Sequence, residues 1–450
     1  MTKKKLALRV ISALVVLGVV GYLAVYLATV VFGGVGGDRT AALPQPLDQQ
    51  LVQRGAYVAF EGDCAACHTA PGGKPFAGGL PLATPIGAVY SSNITPDKET
   101  GIGNYTFGDF ERAVRRGITP RDHTLYPAMP YPSYARISDQ DLQALYAFFM
   151  KGVQPVDQKN RQPGIPWPLS MRWPLTYWRW IYAPAVQPVV PLADADPVAD
   201  RGAYLVEGLE HCGSCHTPRG IGLQEKALTP QGDQYLAGGV IDNYIASDLR
   251  GDNWGGLGAW TEDDIVRFLK SGRSDHTAAF GGMSDVVFDS TQHMTDADLK
   301  AIAHFLKKLP PSAGDHTFTY DQTVATALYH GDVSKTGALE YVNNCSACHL
   351  TSGKGYVDTF PALAGNPVVN AADPSSLIHI VLKGGTIPST KAEPTHFSMP
   401  PFEARLSDQQ VADVLSFIRS SWGNNAPAVD AAQVAKLRAT LDPPTVAKSP

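Results

Sequence analysis

Cysteine and histidine fall together in three pentapeptides, Cys64-Ala-Ala-Cys67-His68, Cys212-Gly-Ser-Cys215-His216 and Cys345-Ser-Ala-Cys348-His349, which hold all six cysteines of the 450-residue chain. Each is a C-x-x-C-H run. At this spacing two thiols add across the vinyl groups of a haem, and the next histidine comes to lie under the iron as its proximal ligand. Other chemistries of paired cysteines leave the pattern unexplained. A redox dithiol has no need of the histidine, and a structural zinc needs four ligands where no second Cys or His pair stands at finger spacing. The residues therefore predict three covalently bound haem c groups, attached at Cys64, Cys67, Cys212, Cys215, Cys345 and Cys348, with His68, His216 and His349 as proximal ligands. No cysteine remains for a disulfide framework, and the chain must wrap three times around a flat apolar group.

The wrapping is legible as a repeat. Arg54-Gly55-Ala56-Tyr57 precedes the first run, Arg201-Gly202-Ala203-Tyr204 the second, and Gly337-Ala338 opens the matching stretch of the third. Further on, Ser138-Asp-Gln-Asp141, Thr295-Asp-Ala-Asp298 and Ser407-Asp-Gln-Gln410 are helix-start signals, a hydroxyl cap followed three places on by an acid or amide able to reach back. Apolar residues follow at helical spacing: Leu142, Leu145, Phe148, Phe149; Leu299, Ile302, Phe305, Leu306; Val411, Val414, Phe417, Ile418. Each repeat is expected to hold an early helix, a haem run, a loop-rich middle and a closing amphipathic helix. The 43 glycines and 35 prolines suit long irregular segments and speak against a large sheet. The predicted domains are 48–152, 193–311 and 325–423, with a C-terminal extension at 424–450 of low structural weight.

Methionine is scarce, seven residues in all, so its placement is informative. A methionine sulfur as sixth ligand closes the iron and raises its potential, as electron transfer requires. Met129, in Pro-Ala-Met-Pro, and Met399, in Ser-Met-Pro-Pro, stand shortly before the closing-helix caps. In the second domain Met283 follows Asp275-His276-Thr277 much as Met129 follows Asp122-His123-Thr124. Met294 touches the cap at Thr295 and reads as packing. The rival ligands are His123, His276 and His396, and His304 and His330 read as surface residues. In the middle loops, Asn93-Ile-Thr-Pro-Asp97 and Ser247-Asp-Leu249 each lead into a short helix, ending at Arg115-Arg116 and at Lys270. These cations are expected near propionates or in solvent.

Lys3, Lys4, Lys5 and Arg9 form a basic N-terminus, 1–9, ahead of an uncharged apolar run at 10–32. That run exceeds the ~20 residues a spanning helix needs and the 7–15 of a signal-peptide core. It predicts one transmembrane helix, with the N-terminus cytoplasmic and the remainder periplasmic; a cleaved signal peptide is the alternative. A Pro-rich linker at 153–192 carries four of the seven tryptophans, Trp167, Trp173, Trp178 and Trp180, and reads as a strap over the domains or as a membrane-surface segment. The formal charge of −5 argues against a nucleic-acid partner.

On these motifs the chain resembles the three-haem cytochrome c subunit of bacterial membrane-bound dehydrogenases that oxidise alcohols, aldehydes, sugars or sugar acids. The resemblance covers nearly the whole chain. It implies a mainly α fold, three tandem cytochrome c-type domains after the N-terminal helix. It also implies a relay to ubiquinone from a large catalytic subunit with a quinone, flavin or molybdenum cofactor, accompanied in some complexes by a small subunit. The substrate class expected of the partner at the inner membrane is an alcohol or an aldehyde, and an uncleaved anchor leans toward an aldehyde-oxidising complex. The alternatives from other classes are a carrier to a terminal oxidase and a haem peroxidase with one open iron.

Overall fold

A computed structural model of the chain describes residues 3–32, 37–41, 43, 46–190, 196–241, 243–312 and 317–441, with side chains in the first helix given at 12, 13, 15–28 and 31. The ends of the chain, the junction expected at 193 and the last nine residues of the predicted extension lie outside the described residues. Two compact units form, 1–58 with 67–188 and 59–66 with 189–450. The fold is mainly helical, and the described sheets are three two-stranded antiparallel ribbons, Pro81–Leu82 with Val89–Tyr90, Gly239–Ile241 with Tyr244–Ala246, and Gly385–Thr386 with Ser398–Met399.

In the first unit, α1 (Lys3–Phe32) precedes α2 (Gln49–Glu61), which runs on toward the first haem run at α3 (Cys64–His68). After the first ribbon come α4 (Phe107–Arg116), α5 (Tyr131–Tyr134) and the closing helix α6 (Asp139–Ala147), extended by a π-helical turn, Phe148–Gly152. Thr106 caps α4 in a full capping box, and Gly117 ends it in the left-handed region at φ +61. The expected core face is in place: Leu142, Leu145 and Phe149 are buried. The linker is a strap stitched to this unit. Asn93 Nδ2 donates to Val156 O at 2.8 Å, Asn160 Oδ1 accepts from Asn93 N, and Gln158 Nε2 donates to Ala77 O. It continues as α7 (Trp173–Tyr182), which packs on α1 through an edge-on Tyr22–Trp173 contact at 5.3 Å and a bond from the Tyr177 hydroxyl to Val25 O. Most described apolar side chains of α1 are exposed, Leu17 and Val31 among them, whereas Val25 and Ala28 are half-buried. Among the described residues no helix is long and apolar enough to cross a membrane.

The second unit holds two repeats. The first runs from α8 (Pro197–Tyr204) through the haem helix α9 (Gly213–His216), α10 (Glu262–Ser271) and α11 (Gly282–Asp289) to the closing α12 (Asp296–Lys307). The next contains α13 (Thr323–Tyr329), α14 (Ala338–Asn344), the haem helix α15 (Ser346–His349), α16 (Pro367–Asn370), α17 (Ser375–Lys383), the closing α18 (Asp408–Arg419) and α19 (Ala431–Arg438). The extension is not of low weight as far as 441. Val434 on α19 is fully buried, and Arg438 clamps Asp408, Glu403 O and Leu406 O, so this helix seals the third core.

The repeated Arg-Gly-Ala-Tyr has a structural cause. A Cβ on Gly55 would lie 1.8 Å from Ala144 O, one on Gly202 2.0 Å from Ala301 O, and one on Gly337 2.1 Å from Asp413 O. In each repeat the early helix crosses the closing helix in backbone contact, which only glycine permits. The arginine then reaches the acid of the helix-start signal. Arg54 binds Asp141 at 2.8 Å and Arg201 binds Asp298 at 2.7 Å, each guanidinium lying over the tyrosine three residues on. In the third repeat Thr336 stands in place of the arginine, and Gln410 closes a capping box with Ser407.

Candidate haem sites

Each C-x-x-C-H run forms a single helical turn. His216 N–H donates to Cys212 O and His349 N–H to Cys345 O, both at 2.9 Å. Positions i, i+3 and i+4 share a helix face, so both thiols and the imidazole project to one side, as attachment to one haem edge demands. All six cysteines are free thiols, and burial raises the Cys345 thiol to about 12.

The three histidines are prepared identically. His68 Nδ1 lies 2.7 Å from Ser92 O, His216 Nδ1 2.7 Å from Ser247 O, and His349 Nδ1 2.9 Å from Pro361 O. A carbonyl oxygen only accepts, so Nδ1 carries the proton. Burial lowers the pKa of all three rings and keeps them neutral. The Nε2 lone pair is then left for a metal, in the tautomer that a backbone acceptor fixes at haem and zinc histidines. The middle loops singled out in the sequence supply two of these carbonyls, from Ser92 just before Asn93 and from Ser247 just before Asp248. Thr69 and Thr217, next to the histidines, were not singled out; their hydroxyls accept from Phe76 N and Leu236 N and anchor the return of the chain. Their only sequence signal is that both runs continue into threonine.

The third site is a complete cavity. Cys345, Cys348, His349 and Met399 line it together with an apolar shell that includes Leu377, Val381 and Val414. A mostly apolar lining with the two thiols, the imidazole and the thioether brought to one space suits a flat apolar group. Met129 is half-buried in the turn that Met129 N–H makes to Tyr126 O, and Met283 is half-buried in the first turn of α11. Met294 is 1 % exposed, a core residue. Of the rival ligands, His276 stacks on Trp260 at 4.8 Å with Nε2 facing Asp264, and His123 and His396 are exposed.

The cations at the ends of the middle helices are paired with acids rather than free in solvent. Arg115 Nη1 binds Asp139 at 2.7 Å and Lys270 binds Asp296 at 2.9 Å, in both cases the first residue of the closing helix, whose N-terminus favours an acid. Arg116 is held by Glu111. His304 is not an idle surface residue: its ring nitrogens lie 2.8 Å from Asp196 and 2.8 Å from Glu262, and these carboxylates raise its pKa.

Comparison with known proteins agrees with this geometry. The cytochrome c family profile matches three times, at 52–152, 199–310 and 334–422. The chain is 56% identical to the gluconate 2-dehydrogenase cytochrome c subunit of Pantoea cypripedii, over 92% of this chain and 94% of that protein. It is 53% identical to the cytochrome c subunit of the quinone alcohol dehydrogenase of Gluconobacter oxydans, over 90% and 86% of the two. It is 35% identical to the fructose dehydrogenase cytochrome subunit of Gluconobacter japonicus, over 89% and 85%. Three repeats of one histidine-and-thiol site, each inside a matched segment, place this chain in the cytochrome c family, whose members carry covalently bound haem c.

Proposed function

We propose that this chain is the electron-transfer subunit of a membrane-bound, quinone-linked dehydrogenase complex, carrying electrons from a separate catalytic subunit through three c-type haems to ubiquinone. The observation that carries the reading is the threefold site: paired thiols on one helix face beside a neutral imidazole whose Nδ1–H is spent on a backbone carbonyl. When bound, haem c supplies a one-electron iron couple whose potential follows axial ligand, burial and hydrogen bonding. With haem bound, His68, His216 and His349 would each hold one iron and Met129, Met283 and Met399 would supply its second protein ligand, a set that suits electron transfer rather than peroxide chemistry. Substrate oxidation falls to the partner, whose cofactor is a quinone, a flavin or a molybdenum centre. The relatives support this division, since their names share the cytochrome subunit while the substrate changes from gluconate to alcohol to fructose.

The helix α1 serves in this reading as a single anchor in the inner membrane, with the haem domains periplasmic. Its support is the uncharged run, the basic residues ahead of it, the exposure of most of its described apolar side chains and the aromatic face that α7 lays against it. Ubiquinone docks beside α7. Trp173 Nε1 and the Tyr131 hydroxyl are buried there without a described hydrogen-bond partner, donors suited to quinone carbonyls.

Mild detergent solubilisation of membranes, with mass identification of co-purifying chains, tests the whole reading. A large dehydrogenase chain is expected, and its cofactor names the substrate class. Recovery alone or with oxidase subunits overturns the reading in favour of an oxidase-linked carrier. Trp173→Ala and Trp178→Ala should depress ubiquinone reduction at unchanged haem content. Met399→His should lower the potential of one haem only, and three unchanged potentials would remove Met399 from the ligand set.

A further inference from the structure

The cavity at His349 is not built by the third repeat alone. Thr277, Ala278, Ala279 and Phe280 form part of its wall, and they belong to the second repeat, in the loop between α10 and Met283. Polar contacts hold this loop in place. Asn366 Nδ2 donates to Thr277 Oγ1 at 3.2 Å, Arg273 donates to Asp358 O at 2.8 Å and to Thr395 O, and Ile245 N–H donates to Ser376 Oγ at 2.6 Å. Arg273 is only 4% exposed, so separating the two repeats would strand a buried guanidinium. Tyr244 stacks on His379 at 4.0 Å and meets Phe280 edge-on at 5.8 Å, joining α17 to the same loop.

The other end of the loop leads to the second haem. Gly281, at φ +57, turns the chain into α11; a Cβ there would lie 3.0 Å from the Tyr244 ring. Met283 follows in the first turn. Only Gly281 and Gly282 stand between Phe280 and Met283, three Cα steps, so their Cα atoms are at most about 11 Å apart.

We propose that the 277–280 segment is the electron bridge between the second and third haems, with Phe280 as the positioning side chain that walls the third cavity and fixes the separation. The proposal rests on the three-haem relay above. With haem c held at both sites, the segment would pass one electron at a time between them, the donor being oxidised and the acceptor reduced, with no bond broken and no proton moved. Ala278 and Ala279 carry a single methyl each, so the backbone approaches the cavity closely, and Phe280 keeps water from its rim.

The test uses the full chain in its complex, with Phe280→Ala and the milder Phe280→Leu. Haem content is measured first, by pyridine haemochrome and intact mass. Fewer than three haems on the unaltered chain overturns the relay reading itself. With three present, opening the wall to water should favour the charged ferric state of the third haem roughly tenfold, a fall of about 59 mV for a one-electron couple. Equilibration between the second and third haems after pulse reduction should slow, and Phe280→Leu should restore most of both. An unchanged third potential and an unchanged rate in Phe280→Ala overturn the bridge, whatever happens to turnover. If the alanine variant fails to acquire haem, Phe280→Leu decides by the same two readings at smaller amplitude.

Discussion

Gly202→Ala probes the contact on which the second repeat closes. The added Cβ would lie 2.0 Å from Ala301 O and 2.6 Å from Phe305 Cβ, whereas ordinary contact begins at 3.4 Å. The obstructing atom is a backbone carbonyl inside α12, so no rotamer change relieves it and α8 must move off α12 by the difference. That movement loosens Leu299, Ile302 and Phe305, all buried at the crossing. Overpacking of this kind costs about 1–3 kcal/mol, and the unyielding obstacle places this site at the upper end. Alanine's helix preference returns about 1 kcal/mol. The net loss is about 2 kcal/mol, a fall in melting temperature of roughly 4–8 °C for a cooperative unit of this size. Calorimetry on the haem-loaded chain reads it directly. Gly282→Ala is the control, since nothing lies within 4 Å of its Cβ position, and it should shift stability by less than about 0.5 kcal/mol. A Gly202→Ala chain that melts at or above the unaltered one would refute the close-crossing account of the repeated Arg-Gly-Ala-Tyr.

Asp298→Asn removes the carboxylate from Arg201, which also binds Glu61. With the arginine about a third exposed, the expected loss is about 1–2 kcal/mol by denaturant titration, and a neutral result would show that the pair is ornamental. His304 has its pKa raised by Asp196 and Glu262, so the stability from its charged ring is complete below the usual 6.5 and disappears as pH rises through the folded value. The melting difference between the unaltered chain and His304→Gln should therefore be clear at pH 5.5 and shrink by pH 8.5; a difference independent of pH contradicts it. Burial pushes Glu210 up to about 8, with Glu61 and Asp298 adding negative potential against a bond from the Ser290 hydroxyl. The folded chain then holds a proton that the unfolded chain releases, so stability falls as pH rises from about 4.5 to about 8. Glu210→Gln should match the unaltered chain near pH 4.5 and be more stable at pH 8.5, by an amount on the order of a few kcal/mol; equal pH profiles would refute the buried neutral acid.

Local chemistry was readable where spacing alone determines it. The C-x-x-C-H runs need one helical turn to aim two sulfurs and an imidazole the same way, and the buried faces of α6, α12 and α18 follow from a period of 3.6. What escaped is chemistry shared between distant segments. The helix-start acids Asp141 and Asp298 read as caps because the cap partner is three residues away, while Arg54 and Arg201, which bind them, are 87 and 97 residues away. The third repeat shows that the two features belong together: where the arginine is absent the acid is absent too, and Gln410 reverts to capping. The same limit explains Arg115 and Lys270, whose pairing with the first residue of the closing helix is invisible until the helices are docked.

The extension fails to read for a different reason. Residues 431–438 have little apolar contrast between their faces, yet Val434 and Leu437 are enough because the site they cover is already formed by α17 and α18. A helix that finishes a core needs only a short apolar stripe, whereas one that must nucleate a core needs a long one. The 277–280 loop is the extreme case. Thr-Ala-Ala-Phe carries no periodicity and no cap, and its meaning lies wholly in standing between Met283 and the cavity of the next repeat. Tandem repeats that each bound a haem in isolation would have no need for Arg273 to be buried across their junction. That a guanidinium is sequestered there, bonded to carbonyls of the third repeat, is the physical mark of a junction held at fixed spacing, which is what a relay between two redox centres requires.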